Sequence, residues 1–197
     1  MGKNNNLYRL ITKRRTVRFF KQNKVSVDII KKAINAARLA PSAANMQFLE
    51  YLVISDKKLC EKVFANIRLA GYLYPKHQPL DNQRPVNYII ILANKEKSKK
   101  GDLRDVGAAA ENIILTLLGE GIASCWVASV KRPQVRKILK VPAKYRIDSL
   151  IALGYPMESP VLEESFKEVK YWLDKKGRLH VPKRPLKYIY HHNKIKF

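Results

Sequence analysis

Cysteine and long apolar runs are scarce in this sequence, and each scarcity excludes a class of protein. The chain has only Cys60 and Cys125 and no CxxC pair, which argues against a disulfide scaffold or a cysteine-held zinc site. No apolar run is long enough to span a bilayer, and residues 1–6 lack the apolar segment of a secretory signal. We therefore expect a cytoplasmic protein with two buried thiols and no membrane partner. The histidines lack the spacing of metal ligands, so we expect no metal site and interpret all four as surface residues: His77, His180, His191 and His192.

Acidic residues are also few, with 16 Asp and Glu against 39 Lys and Arg, for a net charge of +23. Such a charge attracts nucleic acid, anionic membranes and anionic small molecules alike. The cations are spread along the whole chain, however, and no zinc-finger spacing, RNP-like aromatic motif or helix-turn-helix pattern accompanies them. Nucleic acid is therefore not the partner that we expect, although a basic nucleic-acid-binding protein stays open as an alternative on charge alone.

The hydrophobic patterning predicts one folded domain of mixed α and β structure. A chain of 197 residues with 46% hydrophobic residues is long enough for one well-buried core. Ser26 is a suitable N-cap for a helix that should end before Pro41, and Asp105 is the predicted cap of a long helix rich in small residues. The predicted helices span 7–14, 26–40, 57–69, 105–119 and 133–139, and the predicted strands span 51–54, 88–92, 124–127 and 149–153.

Cations and a hydroxyl converge just after the first predicted helix. Arg14, Arg15 and Arg18 offer planar donor groups that suit phosphate or carbonyl oxygens, and Thr16 adds a hydroxyl. This pattern predicts an anion-binding cradle. The alternative is a solvated run of surface charge, which a chain this basic produces by chance.

A polar loop precedes the first predicted core strand. In residues 41–47, Ser42, Asn45 and Gln47 supply groups that donate and accept hydrogen bonds, while the small Ala43 and Ala44 allow a ligand to approach the backbone. A ring edge that alternates carbonyl and N–H groups needs such a mixture. The alternative is an ordinary Ser- and Asn-rich turn without a ligand.

The last part of the chain differs in character from the rest. Residues 166–197 contain ten Lys or Arg and only two acids, with aromatic residues between them. A segment of this composition has little core of its own, so we expect residues 160–197 to wrap another subunit. The whole chain, 1–197, then forms a single domain with a C-terminal arm.

Taken together and in order, the motifs resemble those of the FMN-dependent nitroreductase family. Residues 14–20 are similar to its Arg-Arg-Ser-x-Arg-x-Phe motif, residues 41–47 to its Pro-Ser-x-x-Asn-x-Gln loop, and residues 105–112 to its central dimer helix. The segments 154–156 and 183–185 follow in the expected order. Two departures are Thr16 for the usual Ser, and Phe48 where a Pro-Trp pair is common.

The resemblance implies an α+β nitroreductase-like fold with a mainly antiparallel central sheet flanked by helices, and a homodimer that exchanges C-terminal arms. Two FMN molecules would lie in the dimer interface. The cradle and the C-terminal arm would bind the phosphate and ribityl groups of FMN. Arg18 would lie at the N1 and C2 carbonyl edge of the flavin, and the loop 41–47 of the other subunit would contact the ring. The implied cofactor-binding residues are Arg14, Arg15, Thr16, Arg18, Pro41, Ser42, Ala43, Asn45, Gln47, Val127, Ala128, Lys183 and Arg184.

The implied activity is an oxidoreductase cycle of the ping-pong type. NADH or NADPH would reduce the flavin, and a small organic acceptor such as a nitroaromatic or quinone would then reoxidise it. Because the flavin carries the electrons, no catalytic acid, base or nucleophile is expected from the protein. The segment 70–85 is short for the family's variable lid. A deiodinase-like or flavin-consuming enzyme of the same fold therefore stays open.

Overall fold

The fold is built on an antiparallel sheet with helices on both faces. The computed structural model describes residues 6–99 and 102–195. The helices are α1 (Asn6–Lys13), α2 (Val27–Arg38), α3 (Lys57–Phe64), α4 (Leu103–Gly119) and α5 (Arg132–Leu139). The strands are β1 (Phe20–Lys21), β2 (Leu49–Ile54), β3 (Asn87–Asn94), β4 (Ala123–Val127), β5 (Tyr145–Pro156), β6 (Val161–Glu164), β7 (Trp172–Leu173) and β8 (Leu179–Lys183).

The main sheet has the strand order β2-β3-β5-β4, and every neighbouring pair in it is antiparallel. The short β1 adds to the end of β5, where Phe20 faces Pro156 and Lys21 faces Tyr155. This arrangement confirms the predicted α+β fold with a mainly antiparallel sheet. It also brings the chain that follows α1 to the same end of the sheet as β4.

The two faces of the sheet are covered by different pairs of helices. Along β3, Ile89 and Ile91 pack with residues of α2 and α4, whereas Tyr88 and Ile90 pack with residues of α3 and α5. All eight residues of β3 are buried. Between its terminal Asn residues, the strand is therefore one continuous apolar run, 88–93, and does not alternate with polar residues.

The cap of α2 follows the sequence prediction, and the cap of α4 does not. Ser26 Oγ accepts a hydrogen bond from the Asp28 backbone N–H at 3.2 Å and so caps α2. For α4, the N-cap is Asp102, whose carboxylate accepts from the Arg104 backbone N–H at 2.8 Å. The prediction of Asp105 as the cap was wrong, because Asp105 lies inside the first turn and is buried.

Two further elements differ from the sequence pattern. The helix expected over 57–69 ends at Phe64, because the next residues turn to form an isolated bridge between Ile67 and Val130. The segment expected to lack a core forms a three-stranded sheet, in which β8 pairs in parallel with β6 and antiparallel with β7. Within residues 6–99 and 102–195, no helix has both the length and the apolar character needed to cross a bilayer.

Candidate functional site

The cation-rich segment 14–18 is fixed between α1 and the sheet. The Arg14 backbone N–H donates to the Leu10 carbonyl at 2.9 Å, and the Val17 backbone N–H donates to the Ser124 carbonyl of β4 at 3.0 Å. Phe20 then packs against Gly154, where an added Cβ would lie only 3.1 Å from the Phe20 Cβ. These contacts hold the segment along the edge of β4 and the end of β5.

Arg18 is buried but has an unused donor. Its side chain is 9% exposed, and its Nε has no hydrogen-bond partner within the described chain. The guanidinium lies 4.9 Å from the centroid of the Tyr171 ring, and the Arg18 backbone N–H donates to the Glu158 carboxylate. A buried, unpaired donor is costly unless a ligand satisfies it, so Arg18 is the strongest indication of a binding site in this segment.

The other two arginines of the segment have protein partners, although the Nε of Arg15 is also buried without one. Arg14 Nε lies 3.5 Å from the Glu111 carboxylate of α4. Arg15 donates to the carbonyl of Thr12 at 3.0 Å, and burial together with the neighbouring Arg14 charge lowers the pKa of Arg15. Thr16, which lies between Arg15 and Arg18, is half-buried.

His77 contradicts the prediction that all four histidines lie on the surface. It is 5% exposed, its ring packs on Phe19 with centroids 4.4 Å apart, and its Nε2 lies 3.3 Å from Glu158. The same carboxylate accepts from Arg18, so segment 70–85 is attached to the cation-rich segment through Glu158. The sequence signal for this burial was Phe19, because a large aromatic ring next to the sheet needs another side chain to cover it, and His77 does so.

The loop 41–47 is anchored by Asp105 at the start of α4. Ser42 Oγ donates to Asp105 Oδ2 at 2.6 Å, and the Ala43 backbone N–H donates to the same carboxylate at 3.1 Å. Ser42 Oγ in turn accepts from the Gln47 backbone N–H at 3.1 Å. Asp105 is therefore a residue of the loop's architecture that sequence reasoning missed, since a helix cap explained it equally well.

The backbone of this loop is strained at three residues that are not glycine. Ala44, Asn45 and Gln47 have φ angles of 48°, 51° and 46°, in the left-handed region. Such conformations cost free energy and cluster at functional sites. The Gln47 amide donates to the Asn45 side-chain oxygen at 3.0 Å, which orders these two side chains together.

Val127 and Ala128 lie where β4 ends. Val127 is buried and pairs with Leu150 of β5, while Ala128 is exposed at the start of the following turn. The turn is held by Arg132, which donates to the carbonyl of Asp148 at 2.6 Å and to that of Ala128 at 3.3 Å. Val127 and Ala128, called the β4 wall below, lie at the end of the strand whose Ser124 carbonyl accepts from Val17.

Lys183 and Arg184 end the C-terminal sheet and are both exposed. The Lys183 carbonyl accepts from the Ser165 backbone N–H at 2.9 Å, and Arg184 donates to the Tyr188 carbonyl at 3.1 Å. Within the described chain, no hydrogen bond or ion pair joins either residue to the segment 14–18. The contact from the C-terminal segment to that region comes instead from Tyr171, whose hydroxyl accepts from the Tyr72 backbone N–H at 3.2 Å.

Apart from Lys183 and Arg184, the predicted site residues thus form two groups within one chain. The first joins the cation-rich segment to the wall at Val127, and the second is the loop on Asp105. No hydrogen bond or ion pair connects these two groups in the part of the chain that the structure describes. They lie at different points along α4, since Arg14 pairs with Glu111 and the loop is bound at the first turn.

Neither cysteine supplies a nucleophile, which agrees with the expectation of two buried thiols. Both side chains are buried, and burial raises the pKa of Cys60 and of Cys125 to about 11. Since the thiolate is the reactive form, both groups are inert at neutral pH.

Comparison with known proteins agrees with the observed fold and motifs. The model of the Nitroreductase family matches residues 11–155. An iodotyrosine deiodinase of Thermotoga neapolitana is 28% identical over 167 residues, covering 76% of this chain and 88% of that protein. An NADPH-dependent oxidoreductase of Staphylococcus aureus is 25% identical over 205 residues, covering 95% of this chain and 73% of that protein.

Among solved structures, an FMN-dependent nitroreductase from Clostridium difficile aligns with a TM-score of 0.67 and 26% sequence identity. The alignment covers 94% of this chain and 98% of that one. The family match extends over most of the chain and includes the cation-rich segment, the loop and β4. The chain belongs to the nitroreductase family.

Proposed function

We propose that this protein is an FMN-dependent oxidoreductase that transfers electrons from NADH or NADPH to a small organic acceptor such as a nitroaromatic or quinone. The observation that carries the proposal is Arg18, a buried guanidinium with an unpaired Nε beside β4. Membership of the family and the cofactor named for its Clostridium difficile relative support the choice of FMN. When bound, FMN supplies two-electron chemistry that side chains lack.

The charge of the residues present fits this cofactor. Arg18 places a positive charge where the resemblance puts the N1 and C2 carbonyl edge, and negative charge gathers there on reduction. Glu158 and Tyr171 hold Arg18 from two sides, through its backbone and its guanidinium. The segment is therefore organised before the cofactor binds, which lowers the entropic cost of binding.

The phosphate and ribityl groups are assigned to Arg14 and Thr16, with Lys183 and Arg184 joining from a C-terminal arm. Arg14 lies only 3.5 Å from Glu111, so part of its charge is balanced in the single chain. Arg15 directs its donors at the carbonyls of Thr12 and Arg14 and thereby stabilises the turn on which the cradle depends.

The complete site is proposed to require a homodimer. In one chain the loop 41–47 is separate from the cation-rich segment, and the loop would complete the site of the other subunit. Exposed apolar side chains support this association, because large apolar residues without cover mark interaction surfaces. They lie on α1, beside the loop, at the start of α4 and near the C-terminus, at Leu7, Ile11, Leu39, Leu103, Leu186 and Ile189.

The proposed activity is tested by anaerobic mixing of the FMN-loaded protein with NADPH or NADH. We expect loss of the flavin's visible absorption, which returns when a nitroaromatic or a quinone is added without oxygen. The rate of return should depend on the acceptor, and residual nicotinamide should slow it, because the two substrates use the same site in turn. A protein that holds FMN but is reduced by neither nicotinamide would refute the proposal.

Reductive deiodination is a second candidate, favoured by the similarity to the Thermotoga neapolitana deiodinase. Tyr72 and Tyr171 also give the region above Arg18 an aromatic wall, with ring centroids 5.0 Å apart. Incubation of the reduced protein with iodotyrosine separates the two activities. Iodide release faster than turnover of nitroaromatics and quinones would favour the deiodinase.

A further inference from the structure

We propose that a cavity between the end of α3 and the start of α5 binds the 2′-phosphate of NADPH. The cavity has a volume of about 470 Å³, and its lining includes Arg68, Tyr74, Ser129, Lys131 and Arg132. This inference rests on the proposed function and goes beyond it, because it assigns the reductant a binding site and predicts a preference for NADPH over NADH.

The two segments that bring cations to the cavity are joined by backbone hydrogen bonds. The Arg68 backbone N–H donates to the Ser129 carbonyl at 3.0 Å, and the Lys131 backbone N–H donates to the Asn66 carbonyl at 2.9 Å. The bridge between Ile67 and Val130 lies between these two bonds. Arg68 and Lys131 are therefore held on two directly paired segments, and both residues line the cavity.

The side chains of Arg68 and Lys131 are free to meet an anion. Neither forms an ion pair within residues 6–99 and 102–195, and both are exposed. The Arg68 guanidinium lies 4.5 Å from the centroid of the Tyr74 ring, which orients it without neutralising it. Arg132 has a different role, since it donates to the carbonyls of Ile147 and Asp148.

The absence of acid from the lining distinguishes this cavity in a chain with scattered cations. Of three other cavities formed by the described residues, one is lined by Glu50 and Asp105, one by Glu158 and Asp174, and one by Glu158. The lining of the proposed site contains no carboxylate. A phosphate monoester carries close to two negative charges at neutral pH and pairs well with an Arg and a Lys that line the same cavity.

The cavity lies next to the residues of the proposed flavin site, where the nicotinamide of a bound nucleotide would lie. Its lining includes Ala128 and Ser129, which directly follow Val127, the end of the wall assigned to the flavin ring. Tyr74 on the opposite side belongs to segment 70–85, which is attached to Arg18 through His77 and Glu158. A nucleotide with its nicotinamide at Val127 and Ala128 would therefore have this basic cavity beside it.

The test measures nucleotide binding directly, by titration calorimetry with 2′,5′-ADP, 5′-ADP and 5′-AMP on the protein as purified. We expect 2′,5′-ADP to bind about tenfold more tightly than either other nucleotide, as a charge-assisted pair at the 2′ position requires. In the double variant Arg68→Gln/Lys131→Gln this preference should disappear. Arg68→Lys, which keeps the charge, should retain part of it.

A matched control removes the same charge from the two helices that flank the cavity. Lys58→Gln/Lys137→Gln changes exposed lysines at the first turn of α3 and the last turn of α5, at the ends away from the cavity. This variant should keep the preference for 2′,5′-ADP. An equal loss in the control, or equal binding of 2′,5′-ADP and 5′-ADP by the unmodified protein, would show general anion attraction and overturn the proposal.

Steady-state kinetics separates this inference from the proposed function. With the unmodified enzyme, we expect a KM for NADPH about tenfold below that for NADH, and the double variant should raise the first value alone. A yellow, active protein without 2′,5′-ADP preference would overturn the site and leave the activity intact. A protein that binds 2′,5′-ADP at this cavity but takes up no FMN would support the site and defeat the oxidoreductase.

Discussion

In this segment Arg15 also has an unpaired Nε but is only half-buried, which leaves Arg18 as the arginine that is buried as a whole. Its guanidinium is buried, and its Nε lacks a partner in the described chain. Its neighbours fix its position without using that donor, because Glu158 binds its backbone and Tyr171 covers its planar face. A cation held in this way is positioned to stabilise negative charge on the edge of a bound ligand.

We expect Arg18→Gln to slow flavin reduction more than it weakens FMN binding. Removing one positioned donor from developing negative charge typically costs about tenfold to a thousandfold in rate, whereas the remaining contacts still bind the cofactor. Stopped-flow absorption gives the reduction rate, and FMN titration gives the affinity. Lys21→Gln, which removes an exposed cation from β1, serves as the control. Unchanged reduction kinetics in Arg18→Gln would remove this residue from the electron-transfer step.

Glu50 is a second residue whose charge has a measurable consequence, here for stability. The Tyr145 hydroxyl donates to Glu50 at 2.6 Å and the Asn94 amide donates to it at 3.0 Å, so β2, β3 and β5 share one carboxylate. These hydrogen bonds lower the pKa of Glu50, and the one from Tyr145 contributes most. The folded protein therefore favours the ionised carboxylate more than the unfolded chain does.

We expect the stability difference between the unmodified protein and Glu50→Gln to depend on pH. A depressed pKa contributes stability that is present above the unfolded-state pKa and lost as pH falls through the folded-state pKa. The difference in free energy of unfolding should be about 0.5–1 kcal/mol at neutral pH, since Glu50 is partly exposed, and should shrink in acid. Urea unfolding at several pH values measures it, with the exposed Glu168→Gln as control. A difference that grows in acid would contradict this account.

At the scale of elements, the loop 41–47 depends on the first turn of α4. Asp105 accepts from Ser42 Oγ and from the Ala43 backbone, and three non-glycine residues of the loop have positive φ angles. The strain is maintained by this one buried carboxylate. The helix that crosses the core therefore also sets the shape of the loop.

We expect Asp105→Asn to weaken FMN binding by about tenfold, because it removes charge-assisted hydrogen bonds worth about 1.5–3 kcal/mol to the loop. Amide hydrogen exchange should rise in residues 41–47 and stay unchanged in β3. The matched variant is Asp102→Asn, three residues before Asp105 at the N-cap of α4, where Asn is an equally good helix cap. Equal effects of the two substitutions would mean that Asp105 acts only through helix stability.

The elements show which features the sequence could predict and which it could not. The apolar run of β3 and the capped stripe of α2 were predictable, because burial on both faces and helical spacing leave direct patterns. The role of Asp105 was not, since a buried anchor and a helix cap use the same residue type. The short strands β1, β6 and β7 were also missed, because two to four residues leave no periodicity. The burial of His77 depends on Glu158, which is 81 residues away in sequence.

At the scale of the whole molecule, the candidate site is divided between regions that do not meet in one chain. The cation-rich segment and the β4 wall form one half, and the loop on α4 forms the other. The C-terminal sheet packs partly on its own chain, through the buried Leu179 and through Tyr171. Beyond β8, Leu186 and Ile189 remain exposed, as expected of a segment that binds a second copy.

We expect deletion of residues 180–197 to release FMN and to weaken the dimer. The deletion removes Lys183 and Arg184 from the proposed phosphate end, and it removes the exposed apolar residues that follow β8. Light scattering coupled to size-exclusion chromatography gives the mass, and the absorption spectrum of the same peak gives the bound flavin. Deletion of residues 191–197 alone is the milder control. A truncated protein that stays dimeric and yellow would contradict the role given to the arm.

The most direct test of the central claim is the flavin content of the purified protein. After a high-salt wash that removes loosely held anions, a visible absorption spectrum is recorded, the protein is heat-denatured, and any released flavin is identified. Our account predicts FMN near one molecule per subunit, or uptake to that ratio when FMN is added. A colourless protein that also fails to take up FMN would leave the fold intact and contradict the proposed oxidoreductase.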